Sequence, residues 1–300
     1  MVPTCYGGPR GSCKPTAEAA PPTVISERLL NILLCGDVVG KSGRDAVAAH
    51  LPGLRRGLAL DLAIVNAENA AHGFGLTDKL AGELYEAGAD ILTTGNHVWD
   101  QRELIGTIDR DPRILRPANF PPGTPGAGSR LHPLSDGRAV LVVNLMGRLF
   151  MDFLDCPFRG LDAILEGHAL GRDVAAIVVD FHAEATSEKC AMGHFADGRV
   201  SVVSGTHTHI PTADAQILPG GTAYQSDCGM CGDYDSVIGM QKEASVRRFV
   251  TKMPGQKPQV AEGEGTLCGV FVAIDDASGF ARRIEPVRIG GRLAPNIPRA

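Results

Sequence analysis

Five short polar segments in this sequence each follow a short apolar run. They are Gly36-Asp37, Asn66-Ala67-Glu68-Asn69, Gly95-Asn96-His97, Asp180-Phe181-His182 and Gly205-Thr206-His207-Thr208-His209. Carboxylate, amide oxygen and imidazole are all suitable ligands for first-row transition metals. Asp37, Glu68, Asn69, Asn96, His182, His207 and His209 make a mixed set larger than one ion needs. Such a set suits two metals roughly 3.5–4 Å apart, whose chemistry is activation of water and stabilisation of charge on a phosphoryl group. Taken singly, each segment has a plainer reading. An Asp after a strand is often a cap or turn residue, Glu68-Asn69 reads as a turn, and His97 as a satisfied core histidine. His-x-His projects to one side of a strand often enough by chance. Their joint occurrence at five strand ends, in a chain with nine histidines, is what makes them a candidate site.

The elements that must position these residues are legible from periodicity. Leu29–Cys35 reads as a buried strand. Ser42–Leu58 has helical spacing with a serine at its start, and Pro52 is expected to kink or end it. Leu62–Val65 is a second strand, Thr77 caps a helix running to Ala87 with Gly88 after it, Asp90–Thr93 is a third strand, and Trp99–Ile108 is helical. Alternating strands and helices imply parallel strands with crossover helices, and open sheets of that kind bind ligands at their C-terminal ends. Residues 110–130 form a Pro/Gly-rich loop of a length that is usually functional or disordered. Its Arg113, Arg116 and Asn119 either shape a pocket or belong to the surface. Ala139–Leu145, Val174–Val179 and Arg199–Val203 read as strands, residues 160–170 as a helix, and Thr266–Ile274 with Ala281–Ile289 as antiparallel strands. His72, in the loop after Glu68-Asn69, either touches substrate or is solvated.

The composition sets bounds. The chain has 300 residues, 44% hydrophobic and 21% charged, with a formal net charge of −5 and mean hydropathy near zero. No basic excess marks a general nucleic-acid binder, so no extended nucleic acid is expected. No run approaches the roughly 20 apolar residues of a membrane helix, and residues 1–28 lack a signal-peptide core. Those residues read as a flexible tail, residues 29–300 as a single domain, and the location as cytoplasmic. Of eight cysteines, Cys35, Cys190 and Cys268 read as small buried hydrophobes. Cys228 and Cys231 form a lone C-x-x-C with no second pair to complete a zinc cage.

At the five polar segments the sequence resembles the calcineurin-like metallophosphoesterases, with three departures. Val39 stands where that pattern has its first histidine and Glu68 where it has the bridging aspartate. Gly205-Thr206 also adds one residue before the final histidine pair. These departures, with the phrases GDVVG, NAENAAHG, GNHVWD, RPANFPPGTPG, DFHAEATSEK, GTHTHI and TAD, resemble the narrower YmdB-type phosphoesterases from about Leu29 to about Ile289. The resemblance implies a four-layer α/β/β/α sandwich with two central mixed sheets flanked by helices. It assigns Asp37, Glu68, Asn69 and His209 to one metal, with Glu68 bridging to a second that Asn96, His182 and His207 complete. Asn69 replaces the histidine that Val39 cannot supply, and His97 stands beside the metals as the catalytic proton donor or as a transition-state stabiliser. The implied activity is a dinuclear, metal-dependent phosphodiesterase acting on small 2′,3′-cyclic or 3′,5′-cyclic nucleotides by attack of a metal-bridging hydroxide. Iron is the first expectation for the metals, with manganese or zinc as alternatives, and a homodimer or homotetramer is implied.

Two other functions fit parts of the sequence. A regulatory or scaffold protein would keep the metal site with little turnover, and a phosphomonoesterase or nucleotidase would use the same ligands. Cys35–Ser42, CGDVVGKS, invites a phosphate-loop reading, but that motif needs Gly five residues before Gly40 and Cys35 stands there.

Overall fold

The computed structural model describes residues 29–253, 255 and 257–299. The expected tail at 1–28, with Cys5 and Cys13, lies outside them. The chain first forms β1 (Leu29–Cys35), β2 (Asp37–Val38), α1 (Gly40–Gly57), β3 (Leu62–Asn66), α2 (Asp78–Glu86), β4 (Ile91–Thr93), α3 (Glu103–Thr107) and β5 (Ile114–Leu115). It then forms β6 (Ser129–Pro133), β7 (Ala139–Met146), α4 (Pro157–Leu165), β8 (Ala176–His182), α5 (Thr186–Ala196), β9 (Val202–Thr206), β10 (Gln216–Ile217) and β11 (Ala223–Gln225). β12 (Met230–Asp233), α6 (Lys242–Thr251), β13 (Gly265–Asp275) and β14 (Ala281–Ile289) follow.

The strands build two mixed sheets. The first has the order β2-β12-β13-β1-β3-β4-β5, with β14 paired to β13; the second has the order β10-β11-β9-β8-β7-β6. β1, β3, β4 and β5 run parallel in the first sheet, and β7, β8, β9 and β11 in the second.

Side-chain alternation explains the layering. Leu30, Ile32, Leu34, Leu62, Ile64 and Ile91 of the first sheet pack against Val140, Val142, Ala176, Val178 and Val202 of the second. The opposite face of the first sheet, including Leu33, Val65 and Leu92, meets Val47, Leu51 and Leu84 of α1 and α2. The opposite face of the second, including Val143, Val179 and Phe181, meets Leu161 of α4 and Met192 of α5. This is the α/β/β/α sandwich. Strands buried on both faces need continuous apolar sequence, and burial of each such Leu, Ile or Phe stabilises the fold by about 1.5–3 kcal/mol.

Several local expectations need correction. Pro52 sits inside α1 and the helix continues to Gly57. The carbonyl deprived of a partner belongs to Ala48, which is exposed, so water can satisfy it. Ser42 is not the cap: Val39 precedes the helix without a capping side chain, and Ser42 Oγ instead donates to the carbonyls of Ala261 and Gly263. Thr77 does cap α2, accepting from Leu80 N. The helix expected from Trp99 is confined to α3, with a short 3-10 turn at Ile108–Arg110.

The 110–130 segment contributes β5 as an edge strand. Its arginines hold the segment itself. Arg116 donates to the carbonyls of Pro117, Thr124 and Pro125, and Arg113 stacks on Tyr85 at 3.6 Å while paired with Asp111. Asn119 ties the segment to Met146 and Asp155. All six cysteines among the described residues are free thiols, and Cys190 is half-buried rather than buried. Cys228 and Cys231 turn to different partners, Ser204 Oγ and the Cys268 carbonyl.

Candidate metal centre

The face between the sheets is apolar until its C-terminal rim, where the same alternation delivers polar groups. Ile64 gives way to Asn66, Ile91 to Thr93, Val178 to Asp180 and His182, and Val202 to Ser204 and Thr206. All six are 3% exposed or less. Asp180 binds both sheets together here. Its Oδ2 accepts from Thr93 Oγ1 (2.5 Å) and Asn66 Nδ2 (3.1 Å), and its Oδ1 from Thr206 Oγ1 (2.8 Å). Burial raises the Asp180 pKa against these three donors.

Just above that floor the expected residues come together. One ligand atom each of Asp37, Glu68 and His209 lie within 4.8 Å of one another, as do one each of Glu68, His182 and His207, so Glu68 belongs to both groups. His182 Nε2 lies 2.9 Å from Asn96 Oδ1, 3.2 Å from Glu68 Oε2 and 3.1 Å from His207 Nδ1. Asn69 is aimed by its Nδ2, which donates to the Gly73 carbonyl (3.0 Å). Gly95 is required: a Cβ there would stand 2.2 Å from Glu68 Oε2 and 2.3 Å from the His182 ring.

Each histidine is held from behind, and that contact selects the nitrogen that faces the cluster. Thr206 Oγ1 gives its proton to Asp180, so it accepts from His182 Nδ1–H (2.9 Å) and leaves Nε2 facing inward. His207 Nε2 lies 3.1 Å from Glu184 Oε2, leaving Nδ1. His209 Nδ1 donates to the Ile238 carbonyl (2.8 Å), leaving Nε2. His207 and His209 have φ of 98° and 66°, left-handed backbone that costs a non-glycine residue on the order of 1 kcal/mol or more.

The donor set fits metal ions on grounds internal to the structure. Asp37 Oδ1 and Asn69 Oδ1 are buried without a hydrogen-bond partner among the described residues; His182 Nδ1, at 3.6 Å from Asp37 Oδ1, is too distant for one. Leaving such an atom unsatisfied costs about 1–3 kcal/mol, and here two oxygens are left so at one place. Burial pushes the Asp37 carboxyl up to about 6, even beside His209 and His182. Burial also acts to raise Glu68, but His182 beside it outweighs that and brings it down to about 2. The same pairing lifts His182 to about 9 against its own burial. Burial and the neighbouring His182 charge push His207 down to about 3. The buried carboxylates thus hold a positive charge among them. A cation bound at that point would supply it directly and take the place of the proton on His182.

His97 sits beside the cluster rather than in it. Its backbone N–H donates to Glu68 Oε2 (3.3 Å), while its side-chain Nδ1 lies 2.9 Å from Asp100 Oδ2. The ring meets Phe74 edge-on at 5.1 Å. From His97 a cleft of about 1080 Å³ opens past Phe74, Trp99 and His72 to Lys41 and Arg102. His72 is exposed with a positive φ of 53°; Arg113, Arg116 and Asn119 lie outside the cleft lining.

Periodicity and motif order assign no role to Glu184, Thr206 or Asp100, and none to Asp180 beyond its place in a polar segment. Asp180 and Glu184 belong to the phrase DFHAEATSEK, and Thr206 is the extra residue before the histidine pair. Those are the available signals.

Two mixed sheets packed face to face, with a shared carboxylate among imidazole and amide donors at their common rim, define a metallophosphoesterase. Within that class the chain belongs to the YmdB-like protein family, whose pattern matches residues 33–287. A 2′,3′-cyclic-nucleotide 2′-phosphodiesterase of Bacillus subtilis (strain 168) is 48% identical over 260 residues, covering 87% of this chain and 97% of its own. The crystal structure of a hypothetical protein from Thermus thermophilus superposes with a TM-score of 0.81 at 42% identity, covering 88% of this chain and 100% of the other. That of a novel phosphatase from Mycoplasma pneumoniae also gives 0.81, at 35% identity over 88% and 94%.

Proposed function

We propose that this chain is a dinuclear metal-dependent phosphodiesterase that opens small cyclic nucleotides, 2′,3′-cyclic phosphates first among them. The observation that carries the reading is Glu68, shared by two donor groups that each gather three ligand-type residues. Asp37, Asn69 and His209 complete one position with Glu68; Asn96, His182 and His207 complete the other. Two metals bound there would supply Lewis-acid stabilisation of charge on the phosphoryl oxygens and a water of lowered pKa. Asp37 and Glu68 are the two anionic ligands, so the loaded site keeps a net positive charge that attracts a phosphodiester.

The remaining steps belong to the chain's own groups. Water oxygen bonds to phosphorus as the P–O2′ bond breaks. O2′ leaves with the proton from His97 Nε2, the proton given up by the water passes to solvent, and His97 Nε2 regains one from solvent before the next turnover. Asp100 accepts from His97 Nδ1–H and stabilises the imidazolium that holds that proton. The cleft beside His97 takes the nucleoside, with Phe74 and Trp99 as its aromatic wall. The substrate preference follows from likeness to the Bacillus relative, whose name specifies the 2′,3′-cyclic bond.

The test is His97→Ala in protein loaded with manganese or iron, assayed on 2′,3′-cyclic AMP, 3′,5′-cyclic AMP and bis-p-nitrophenyl phosphate. Turnover is expected to fall by about 10²–10⁴-fold with two metals per chain retained by elemental analysis. Loss of metal in this variant would make His97 a ligand, and full activity in metal-free wild type would sink the dinuclear reading.

A further inference from the structure

A second buried charged group lies behind the histidine pair, and no metal position uses it. Lys189 of α5 and Asp227 are 2% and 1% exposed, with Nζ 2.6 Å from Oδ2. Lys189 Nζ also donates to the Thr206 carbonyl (2.8 Å). Asp227 Oδ2 also accepts from Thr208 N (3.0 Å) and Thr208 Oγ1 (2.8 Å). The pair therefore grips the chain immediately before and immediately after His207.

Asp227 is itself fixed. Its Oδ1 accepts from Gly229 N, its N donates to Thr212 Oγ1, and its carbonyl accepts from Gln225 Nε2 and Thr212 Oγ1. The end of β9 lies flush against this segment, since a Cβ on Gly205 would stand 1.8 Å from the Ser226 carbonyl oxygen. Beyond it, the His209 carbonyl accepts from Met230 N and from Tyr234 Oη.

We propose that Lys189 and Asp227 are a positioning pair that holds His207 and His209 in left-handed backbone, so that both rings face the metal positions. The proposal rests on the reading of those histidines as ligands. A buried ion pair is a poor source of net stability, because desolvation of both charges opposes their attraction. Its worth here lies in geometry. Peptide groups in a left-handed turn do not satisfy one another as they would in a strand, and a charged acceptor and donor set between them fixes both. The pair is neutral as a whole, so it orders the turn without adding charge beneath the metals.

The test uses the full chain, cobalt(II) as the probe, and Lys189→Met, Asp227→Asn and Thr208→Val. Both pair variants are expected to weaken cobalt binding about 10–100-fold, the usual effect of losing an outer partner of a metal ligand, and to change the visible cobalt bands. Thr208→Val, which leaves the pair intact and removes one grip, is expected to shift binding and bands the same way by less. It remains informative if the pair variants do not fold. Tighter binding in Lys189→Met with weaker binding in Asp227→Asn would show that the pair acts by charge and would overturn the proposal. Unchanged bands and affinity with only a lowered melting temperature would overturn it as well. Wild type that takes up no cobalt would instead sink the ligand assignment, a distinct failure.

Discussion

The two sheets contribute unlike halves to the site. The first supplies Asp37 from the start of β2 and Glu68, Asn69 and Asn96 from the turns after β3 and β4; the second supplies His182 from the end of β8 and His207 and His209 from just after β9. The oxygen donors are held more lightly: Asn69 by one bond to the Gly73 carbonyl and Glu68 by the His97 N–H. Asp37 has an accepted bond from His207 N (3.0 Å) on Oδ2 and none on Oδ1 among the described residues. Behind the nitrogen donors stand Thr206 with Asp180, Glu184 and the Ile238 carbonyl. The difference follows from the ligand chemistry. A carboxylate offers two oxygens and several lone-pair directions, so its turn need only bring it near. An imidazole offers one nitrogen in one tautomer along one axis, so its ring must be held from the other side.

The sharpest way to break this comparison is Glu68→Gln. It keeps the shape, removes the shared charge, and leaves His182 Nε2 facing an amide. A buried pair broken by loss of one partner costs about 3–5 kcal/mol, so metal affinity should fall on the order of 10²–10⁴-fold at both positions. Elemental analysis after dialysis should find the metals lost together. Retention of one full equivalent would mean that the two halves load independently and that Glu68 does not bridge.

Thr206→Val should cost less. The substitution keeps the volume and deletes the hydroxyl between His182 Nδ1 and Asp180 Oδ1, leaving an acceptor and a donor unmatched in the floor. A 10–100-fold loss of metal affinity is expected, about 1.4–2.7 kcal/mol, by calorimetric titration. Thr206→Ser should restore most of it. If valine binds metal as tightly as threonine, ring anchoring is not what separates the halves.

The donor residues were legible in the sequence, but much of what holds them was not. Side-chain alternation and strand ends marked Asp37, Glu68, Asn96, His182 and the histidine pair, because ligand-type residues follow apolar runs there, and the fold brings these residues together at one rim. α5 has no such signal. It buries Glu188 and Lys189 beside Met192, so its inner face is not apolar and periodicity cannot reveal it. Lys189 and Asp227 are 38 residues apart, and nothing local pairs them. Pro52 does not end α1, since the carbonyl it frees, on exposed Ala48, can reach water. In the 110–130 segment, composition marked an unusual loop, but only the folded chain shows Arg116 spent on three carbonyls of its own segment.

The smallest expected effect comes from Glu184→Gln, and it separates two meanings of anchoring. Glu184 reaches His207 Nε2 from a half-exposed position, its side chain 49% accessible, whereas Asp180 is 3% exposed. Solvent screens the charge of Glu184 far more than that of Asp180. What glutamine keeps is an oxygen able to accept the Nε2–H, so the tautomer of His207 is still specified. If ring orientation is what the second sheet provides, metal affinity and turnover should change by less than about twofold, below the ~0.5–1.5 kcal/mol of an ordinary hydrogen bond. Glu184→Ala, which removes the acceptor, should cost more than Glu184→Gln. Equal losses in the two variants would assign the effect to charge and erase the distinction between the carboxylates that bind and those that aim.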